Sequence, residues 1–553
     1  MKLITLLLRY SWAVVFTATL LGIVGGASSA ALLALINTQL SRTDREAGTL
    51  VWSFVGLVLV SLITNLLSRV LFIRLSQRVV FDLRLRLCRQ ILSAPLPQIE
   101  QAGLPRLFAA LTEDIPTVVH ALFQLPSLCT NLAILIGCLG YLGSLSLMAG
   151  GLLVGYLTIT FAGYTLFFDQ QAKHYLKLGR EEWDRLVVHF EALTQGNKEL
   201  KLHRPRQEAF LREQLEPSAT EMERISIQGG SLYAVGVVWS QILYFIFIGL
   251  VLFGLPTIHT AVLTGYTLTA LYLSVPVTGL LDIFPALRRA NISMRQIEGL
   301  GLSLLTQQRD EPTYPPSQTW NSLVLQGVTR TYQQGQTAQN FTLGPVDVTF
   351  RPGELVFLVG GNGSGKTTLA KLLVGLYSPQ VGEIYLDGRR ITEQNQDSYR
   401  QFFSAIFTDF YLFDRLLGLD SPGLDYSARA YLEKLQLEHR VTIKEGMVST
   451  LALSQGQRKR LALLTACLED RPFYVFDEWA ANQDPQFQQV FYLELLQELK
   501  ARGKTILVIS HDDQYFHVAD RVIYLDQGRI CSVSKPVTYA ANGSVPEGSS
   551  RML

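Results

Sequence analysis

The chain has 553 residues, of which 48% are apolar and only 17% charged, with a formal net charge of +2. That length exceeds one ordinary core, and so little charge does not cover the surface of a wholly soluble protein, so part of the chain must face lipid. The small net charge comes without a long basic stripe, which excludes nucleic acid as an expected partner, and five scattered cysteines without a CxxC pair (Cys88, Cys129, Cys138, Cys467, Cys531) exclude a disulfide framework and a zinc site.

The first apolar run begins near Trp12 and continues to about Ile36, longer than the apolar core of a signal peptide. The small residues Gly25-Gly26-Ala27-Ser28-Ser29-Ala30 lie inside it, so it reads as a retained first membrane helix. A span needs about 20 mostly apolar residues. Six stretches satisfy this, near residues 11–36, 50–73, 121–143, 145–168, 231–254 and 263–285, the third and fourth forming a tight hairpin.

The loops between spans differ in charge. Arg74, Arg78, Arg84, Arg86, Arg89 and Arg106 lie between the second and third spans, and Lys173 to Arg224 supply ten more cations between the fourth and fifth. The first outer loop holds only Arg42 and Arg45, beside Asp44 and Glu46. The positive-inside bias therefore puts both long loops and both termini in the cytoplasm. Residues 79–87 and 181–193 alternate apolar and charged positions with helical spacing, which predicts membrane helices prolonged into the cytoplasm, with Gly103 and Gly196 near the tips. Asn65, Arg69, Asn131, Trp239 and Asp282 are the polar or amphipathic residues of the spans that invite a cavity role. Arg69 and Asp282 read more simply as hydrated groups near the helix extensions.

A proline-rich polar stretch marks a boundary, giving a membrane domain over residues 1–305, a linker over 306–320, a second domain over 321–535 and a disordered tail over 536–553. The second domain opens its chemistry at Glu354-Leu355-Val356-Phe357-Leu358-Val359, which reads as a buried strand running into Gly360-Gly361-Asn362-Gly363-Ser364-Gly365-Lys366-Thr367-Thr368 and then a helix. This is the GxxxxGK[ST] phosphate loop in its required strand–loop–helix setting. Its glycines let successive N–H groups point at phosphates, and the helix N-terminus adds partial positive charge. Lys366 is expected to reach the β- and γ-phosphates of ATP, and Thr367 to bind magnesium.

Further on, Phe473-Tyr474-Val475-Phe476-Asp477-Glu478 is a strand ending in paired carboxylates. Strand neighbours point opposite ways, so Asp477 is expected to hold the magnesium shell while Glu478 orients the attacking water.

Between these two elements Leu453-Ser454-Gln455-Gly456-Gln457 precedes a helix and resembles the LSGGQ signature of ABC-transporter ATPases. The order of phosphate loop, signature, acidic strand, Asp484 and His511 is that family's, and the resemblance covers the whole chain. It implies an α-helical six-span membrane domain followed by an α/β P-loop ATPase domain, the layout of an exporter half-transporter. By position it implies that Tyr332 stacks on adenine and that Ser454, Gly456 and Gln457 meet the ATP held by a partner chain. Asp484 would communicate across the dimer, and His511 would contact the γ-phosphate in cis. With one phosphate loop and one signature per chain, a homodimer is required.

Two departures stand out. The family's usual magnesium-binding glutamine is replaced at Thr408, followed by Asp409, and the third signature residue is Gln455 rather than glycine. Residues 403–410, 477–485 and 511–516 are similar to bacterial cyclic-peptide and siderophore exporters, which implies a peptide-like substrate (a cyclic peptide, microcin or peptide siderophore) carried across the inner membrane. A lipid or multidrug exporter is the rival reading. The six spans exclude a soluble ABC ATPase, and Glu478 argues against an ATP-gated channel. No peptidase-like domain with a catalytic cysteine precedes the spans, so leader cleavage is not expected.

Overall fold

The computed structural model describes residues 2–41, 48–254, 260–300, 319–333, 340–419, 422–481 and 483–535. The linker up to residue 318, the tail 536–553 and the turn carrying Arg42 and Arg45 lie outside them. The chain divides into two compact units, one of residues 1–94 and 98–304, the other of residues 95–97 and 305–553.

The first unit is helical. Among the described residues six helices are long and apolar enough to cross a membrane: Trp12–Leu40, Leu50–Ser93, Leu104–Leu145, Gly150–Phe168, Arg204–Phe253 and Leu263–Gly299. The helix Gly48–Ser93 runs unbroken for 46 residues. At 1.5 Å per residue that is about 70 Å, more than twice the roughly 30 Å of a hydrocarbon core. Gly103, at φ +78°, separates the helices Leu96–Ala102 and Leu104–Ala109, and Gly196 separates Asp169–Gln195 from Asn197–Leu202. The prolonged helices with glycines at their tips are thus present.

The small residues of the first run form a packing seam. A Cβ on Gly26 would lie 2.6 Å from the Cβ of Ala133, and one on Gly137 would lie 2.7 Å from that of Ala30. Close backbone approach of this kind replaces the hydrophobic drive that lipid does not supply. Hydrogen bonds also tie the first helix to its neighbours: Ser68 Oγ donates to Ala18 O at 2.8 Å, and Asn37 Nδ2 donates to Tyr141 Oη at 2.8 Å. On the outer side Trp52, Leu59, Leu62 and Leu66 are exposed, an arrangement that suits lipid and not water.

The second unit holds β1 Leu323–Gln333, β2 Asn340–Phe350, β3 Leu355–Val359, β4 Val381–Leu386, β5 Arg389–Arg390, β6 Phe403–Ile406, β7 Ile443–Lys444, β8 Met447–Val448, β9 Phe473–Asp477, β10 Thr505–Ile509, β11 Arg521–Asp526 and β12 Arg529–Ser534. An antiparallel sheet has the order β2-β1-β4-β5, a six-stranded sheet the order β12-β11-β3-β10-β9-β6, and β7 pairs with β8. In the larger sheet β11, β3, β10, β9 and β6 are mutually parallel, and only β12 is antiparallel.

Strand alternation explains why these strands read as continuous apolar runs. Leu355, Phe357, Tyr474, Phe476, Ile506 and Val508 enter one buried cluster, with Leu464, Trp479 and Phe491. Their neighbours Val356, Leu358, Phe473, Val475, Leu507 and Ile509 enter another, with Leu325, Leu369 and Leu373. Both faces are covered, as a parallel sheet requires, and each such side chain contributes about 1.5–3 kcal/mol by burial.

Candidate ATP-hydrolysing site

Because β3, β10 and β9 are adjacent and parallel, with Ile509 level with both Leu358 and Asp477, their C-terminal ends share one edge. Three loops leave there, carrying Gly360, Glu478 and His511. Ligands of open parallel sheets bind at this edge.

The phosphate loop is glycine-dependent at specific points. Gly363 and Gly365 have φ of +80° and +100°, the left-handed region that side chains disfavour. At Gly360 the limit is space, since a Cβ there would lie 2.1 Å from Leu525 O and 2.7 Å from Ser364 Oγ. Gly360→Ala is therefore expected to lose about 1–3 kcal/mol of stability by overpacking. It is expected to weaken ATP binding at least tenfold, as read by thermal melting and fluorescent-nucleotide titration of the purified chain. Unchanged affinity would show that the loop yields without cost.

Lys366 begins the helix Lys366–Leu373 and is buried, its Nζ donating to Gly360 O at 2.8 Å and Gly361 O at 3.0 Å. Burial pulls its ammonium below the usual range, while the Glu478 and Asp477 charges act the other way. Ser364 Oγ is buried with no protein partner inside the same loop, Asn362 is exposed and Thr368 half-buried. A glycine-rich loop, a buried hydroxyl without a protein partner and a helix N-terminus together fit a polyphosphate.

Thr367 Oγ1 donates to Asp477 Oδ2 at 2.9 Å, and Thr408 Oγ1 donates to the Asp477 carbonyl at 3.4 Å. Asp477 is 1% exposed and its Oδ1 has no partner. Burial raises its carboxyl above the usual range, Glu478 adds to this, and the two threonine hydroxyls oppose it. A buried carboxylate with an orphaned oxygen beside a threonine hydroxyl fits a hard divalent cation such as Mg2+. The substituted position Thr408 thus stands at this carboxylate, and Asp409 beside it is exposed.

Glu478 Oε1 lies 3.4 Å from His511 Nε2. One expectation is corrected here. The two carboxylates do not diverge by strand alternation, because β9 ends at Asp477 and Glu478 sits at φ +49°. The left-handed turn redirects the side chain, at about 1–3 kcal/mol for a residue with a Cβ. Two bonds hold that turn: Glu478 N–H donates to Ile509 O at 3.0 Å, and Lys459 Nζ donates to Glu478 O at 2.9 Å.

The signature residues form a second cluster. Ser454 caps the helix Gln455–Glu469 in a capping box: its Oγ accepts from Gln457 N–H at 3.3 Å, and Gln457 Oε1 accepts from Ser454 N–H at 3.0 Å. Gly456 O accepts from Gln483 Nε2 at 3.1 Å. Asp484 caps the helix Pro485–Gln489 by accepting from Phe487 N–H at 2.9 Å, a bond that holds its carboxyl below the usual range, and it pairs with Arg460. Tyr332, near the end of β1, packs against Tyr377 at 5.7 Å with Arg330 over both rings, and its hydroxyl is buried without a partner.

Lys459, Arg460 and Gln483 were not foreseen. Lys459 is 3% exposed and also donates to Ala481 O at 2.7 Å, while Trp479 Nε1 donates to Lys459 O at 2.9 Å. Arg460 donates to Gln483 Oε1 at 3.1 Å and lies 3.8 Å over the Phe487 ring. The readable signal was a lysine at a core position of its helix, in line with the buried Ala462, Leu463 and Ala466.

Six membrane-length helices and a phosphate-binding α/β unit define a multi-pass membrane protein with an ATPase half. Comparison with known families agrees: residues 343–481 match the family described as ABC transporter, and residues 11–277 match the ABC transporter transmembrane region. The chain belongs to the ABC transporter family, as an exporter whose ATPase is coupled to transport.

It is 37% identical over 539 residues to ATP-binding protein SyrD of Pseudomonas syringae pv. syringae, covering 95% of this chain and 94% of that one. It is 24% identical to the ATP-dependent lipid A-core flippase of Paraburkholderia xenovorans, over 88% of this chain and 83% of that one. Its fold matches a bacterial Atm1-family ABC exporter solved with ATP bound, with a TM-score of 0.74 at 17% identity, over 96% and 95% of the two chains.

Proposed function

We propose that the protein exports a peptide-like substrate from the cytoplasm across the bacterial inner membrane, as a homodimer with two composite ATP sites. The supporting observation is that the groups of the sheet edge and the signature serine make their bonds in different elements. Lys366, Thr367, Thr408, Asp477, Glu478 and His511 gather at the sheet edge, whereas the bonds that Ser454 makes among the described residues lie within the start of its own helix. In this reading the N-terminus of the signature helix meets the ATP held by a partner chain.

In this reading Lys366 and the loop N–H groups of 360–365 hold the ATP phosphates, and Tyr332 takes the adenine. Thr367, Asp477 and Thr408 hold Mg2+, which neutralises charge developing on the phosphates. Glu478 takes the proton of the attacking water, and His511 fixes its carboxylate. The partner's signature closes the site through Ser454, Gly456 and Gln457, and Asp484 relays between sites. Closure then moves the long helices and opens the cavity outward.

The test is complementation. Lys366→Ala and Ser454→Arg homodimers are each expected to be inactive, while co-expressed mixed dimers regain one intact site and hydrolyse ATP at up to half the normal rate. A mixture as inactive as its parents would overturn the composite site. For substrate class, the similarity of residues 403–410, 477–485 and 511–516 to cyclic-peptide and siderophore exporters supports the peptide reading. Lipid A-core flippases among the relatives favour a lipid as second reading. ATPase stimulation in nanodiscs by cyclic peptides, and not by lipids or dyes, is the expected result. Stimulation by lipid alone would reverse the choice.

A further inference from the structure

The helical unit contains a cavity of about 880 Å³, within the size range of a small-molecule site. Its walls come from residues 117–124 and from the helices Asp169–Gln195, Glu216–Gly254 and Thr260–Gly299, with the π-helical segment Tyr164–Phe168 at one side. Most of the lining is apolar or aromatic, including Tyr164, Phe168, Trp183 and Tyr233.

The charges facing it are few and unequal in their partners. Arg180 is taken up by Glu113 at 3.5 Å, Asp114 at 3.8 Å and Asp184 at 3.3 Å. Among the described residues Asp282 accepts one bond, from the Tyr233 hydroxyl, which leaves most of the acceptor capacity of its carboxylate open to a ligand. Arg289 lines the same cavity, and no carboxylate among the described residues pairs with it. Asp282 and Arg289 lie seven residues apart on one helix, two turns, so they present opposite charges about 10 Å apart along one wall.

We infer that this cavity binds a zwitterionic peptide-like ligand, its cationic amine at Asp282, its carboxylate at Arg289 and its apolar body against the aromatic wall. Extended peptide spans about 3.3–3.6 Å per residue, so three residues bridge the two charges. A bidentate carboxylate suits the Arg289 guanidinium, and an ammonium suits an anionic carboxylate beside a phenol. The arrangement also discriminates. An anionic lipid headgroup satisfies Arg289 and is repelled by Asp282, and a lone organic cation meets the reverse. This assignment rests on the peptide reading above and gives it a charge pattern.

The probe is triphenylalanine, compared with its N-acetylated form, which keeps only the anion, and its C-amidated form, which keeps only the cation. Binding to the full chain in nanodiscs is read by calorimetry, with the change in tryptophan fluorescence as a second signal. The zwitterion is expected to bind at least tenfold more tightly than either blocked form. Asp282→Asn is expected to weaken the zwitterion and the amide tenfold and to spare the acetylated peptide. Arg289→Gln is expected to do the converse. Should either substitution disturb folding, Tyr233→Phe serves instead: it frees Asp282 and should tighten the amide without touching the acetylated form. Equal binding of all three peptides to the unaltered protein overturns the inference, as does unaltered affinity in both charge variants. Peptide export that persists in those variants removes this cavity and keeps the peptide reading, whereas ATPase stimulation by lipid and by no peptide removes the peptide reading itself.

Discussion

Replacing Glu478 with Gln should lower kcat for ATP hydrolysis by about 10²–10⁴-fold, the range of a lost general base, or roughly 3–5 kcal/mol of barrier. Glutamine keeps the size of the side chain and its contact with His511, but it does not take the water's proton. ATP affinity is expected to stay within about threefold, because the phosphates are held by Lys366 and the loop, so nucleotide should accumulate unhydrolysed. A companion variant separates chemistry from backbone. Glu478 holds φ +49°, where glycine is at ease, so Glu478→Gly should raise the melting temperature while abolishing turnover. Single-turnover hydrolysis and thermal melting, measured together, check both. Hydrolysis at the normal rate in Glu478→Gln would take the base role away from this residue.

The second large effect is expected at Lys459. Its ammonium ties the carbonyls of Glu478 and Ala481 to the signature helix, and removing it leaves two carbonyls without that partner. Each unsatisfied buried acceptor costs about 1–3 kcal/mol. Lys459→Met, which keeps the aliphatic stem, should therefore let the turn at Glu478 relax. The expectation is a fall in kcat of at least tenfold with KM for ATP nearly unchanged, since Lys459 touches neither the loop 360–365 nor Thr367 among the bonds described. Lys459→Gln restores donors to the same carbonyls and should recover much of kcat. A purely structural lysine would instead lower melting temperature and yield in both variants with kcat per folded molecule intact, and that result would exclude a positioning role.

Much of the architecture was legible from the sequence because its physics is local. Six apolar stretches of sufficient length, the glycine spacing of residues 360–365 and the apolar strands before Gly360 and Glu478 each depend on neighbours in the chain. What escaped depends on residues far apart. The left-handed turn at Glu478 is stable only because Ile509 and Lys459 bond to it, and no periodicity announces such a partner. The aromatic neighbours of Tyr332 come from Tyr377, after the first helix of the domain. Asp282 invited a cavity role from the sequence, but its partner on the cavity wall, Tyr233, lies 49 positions earlier. Hydropathy records the cost of such a charge but not what shares its wall.

The position of β10 between β3 and β9 has a consequence for how the protein is made. The strand that unites the phosphate loop with the acidic pair is nearly the last to leave the ribosome, some 140 residues after Lys366. Until it inserts, the growing polypeptide has no shared edge on which to grip nucleotide. Translation order thereby imposes a delay: all six membrane helices are synthesised, and free to settle in the bilayer, before the motor has any means of drawing on cellular ATP.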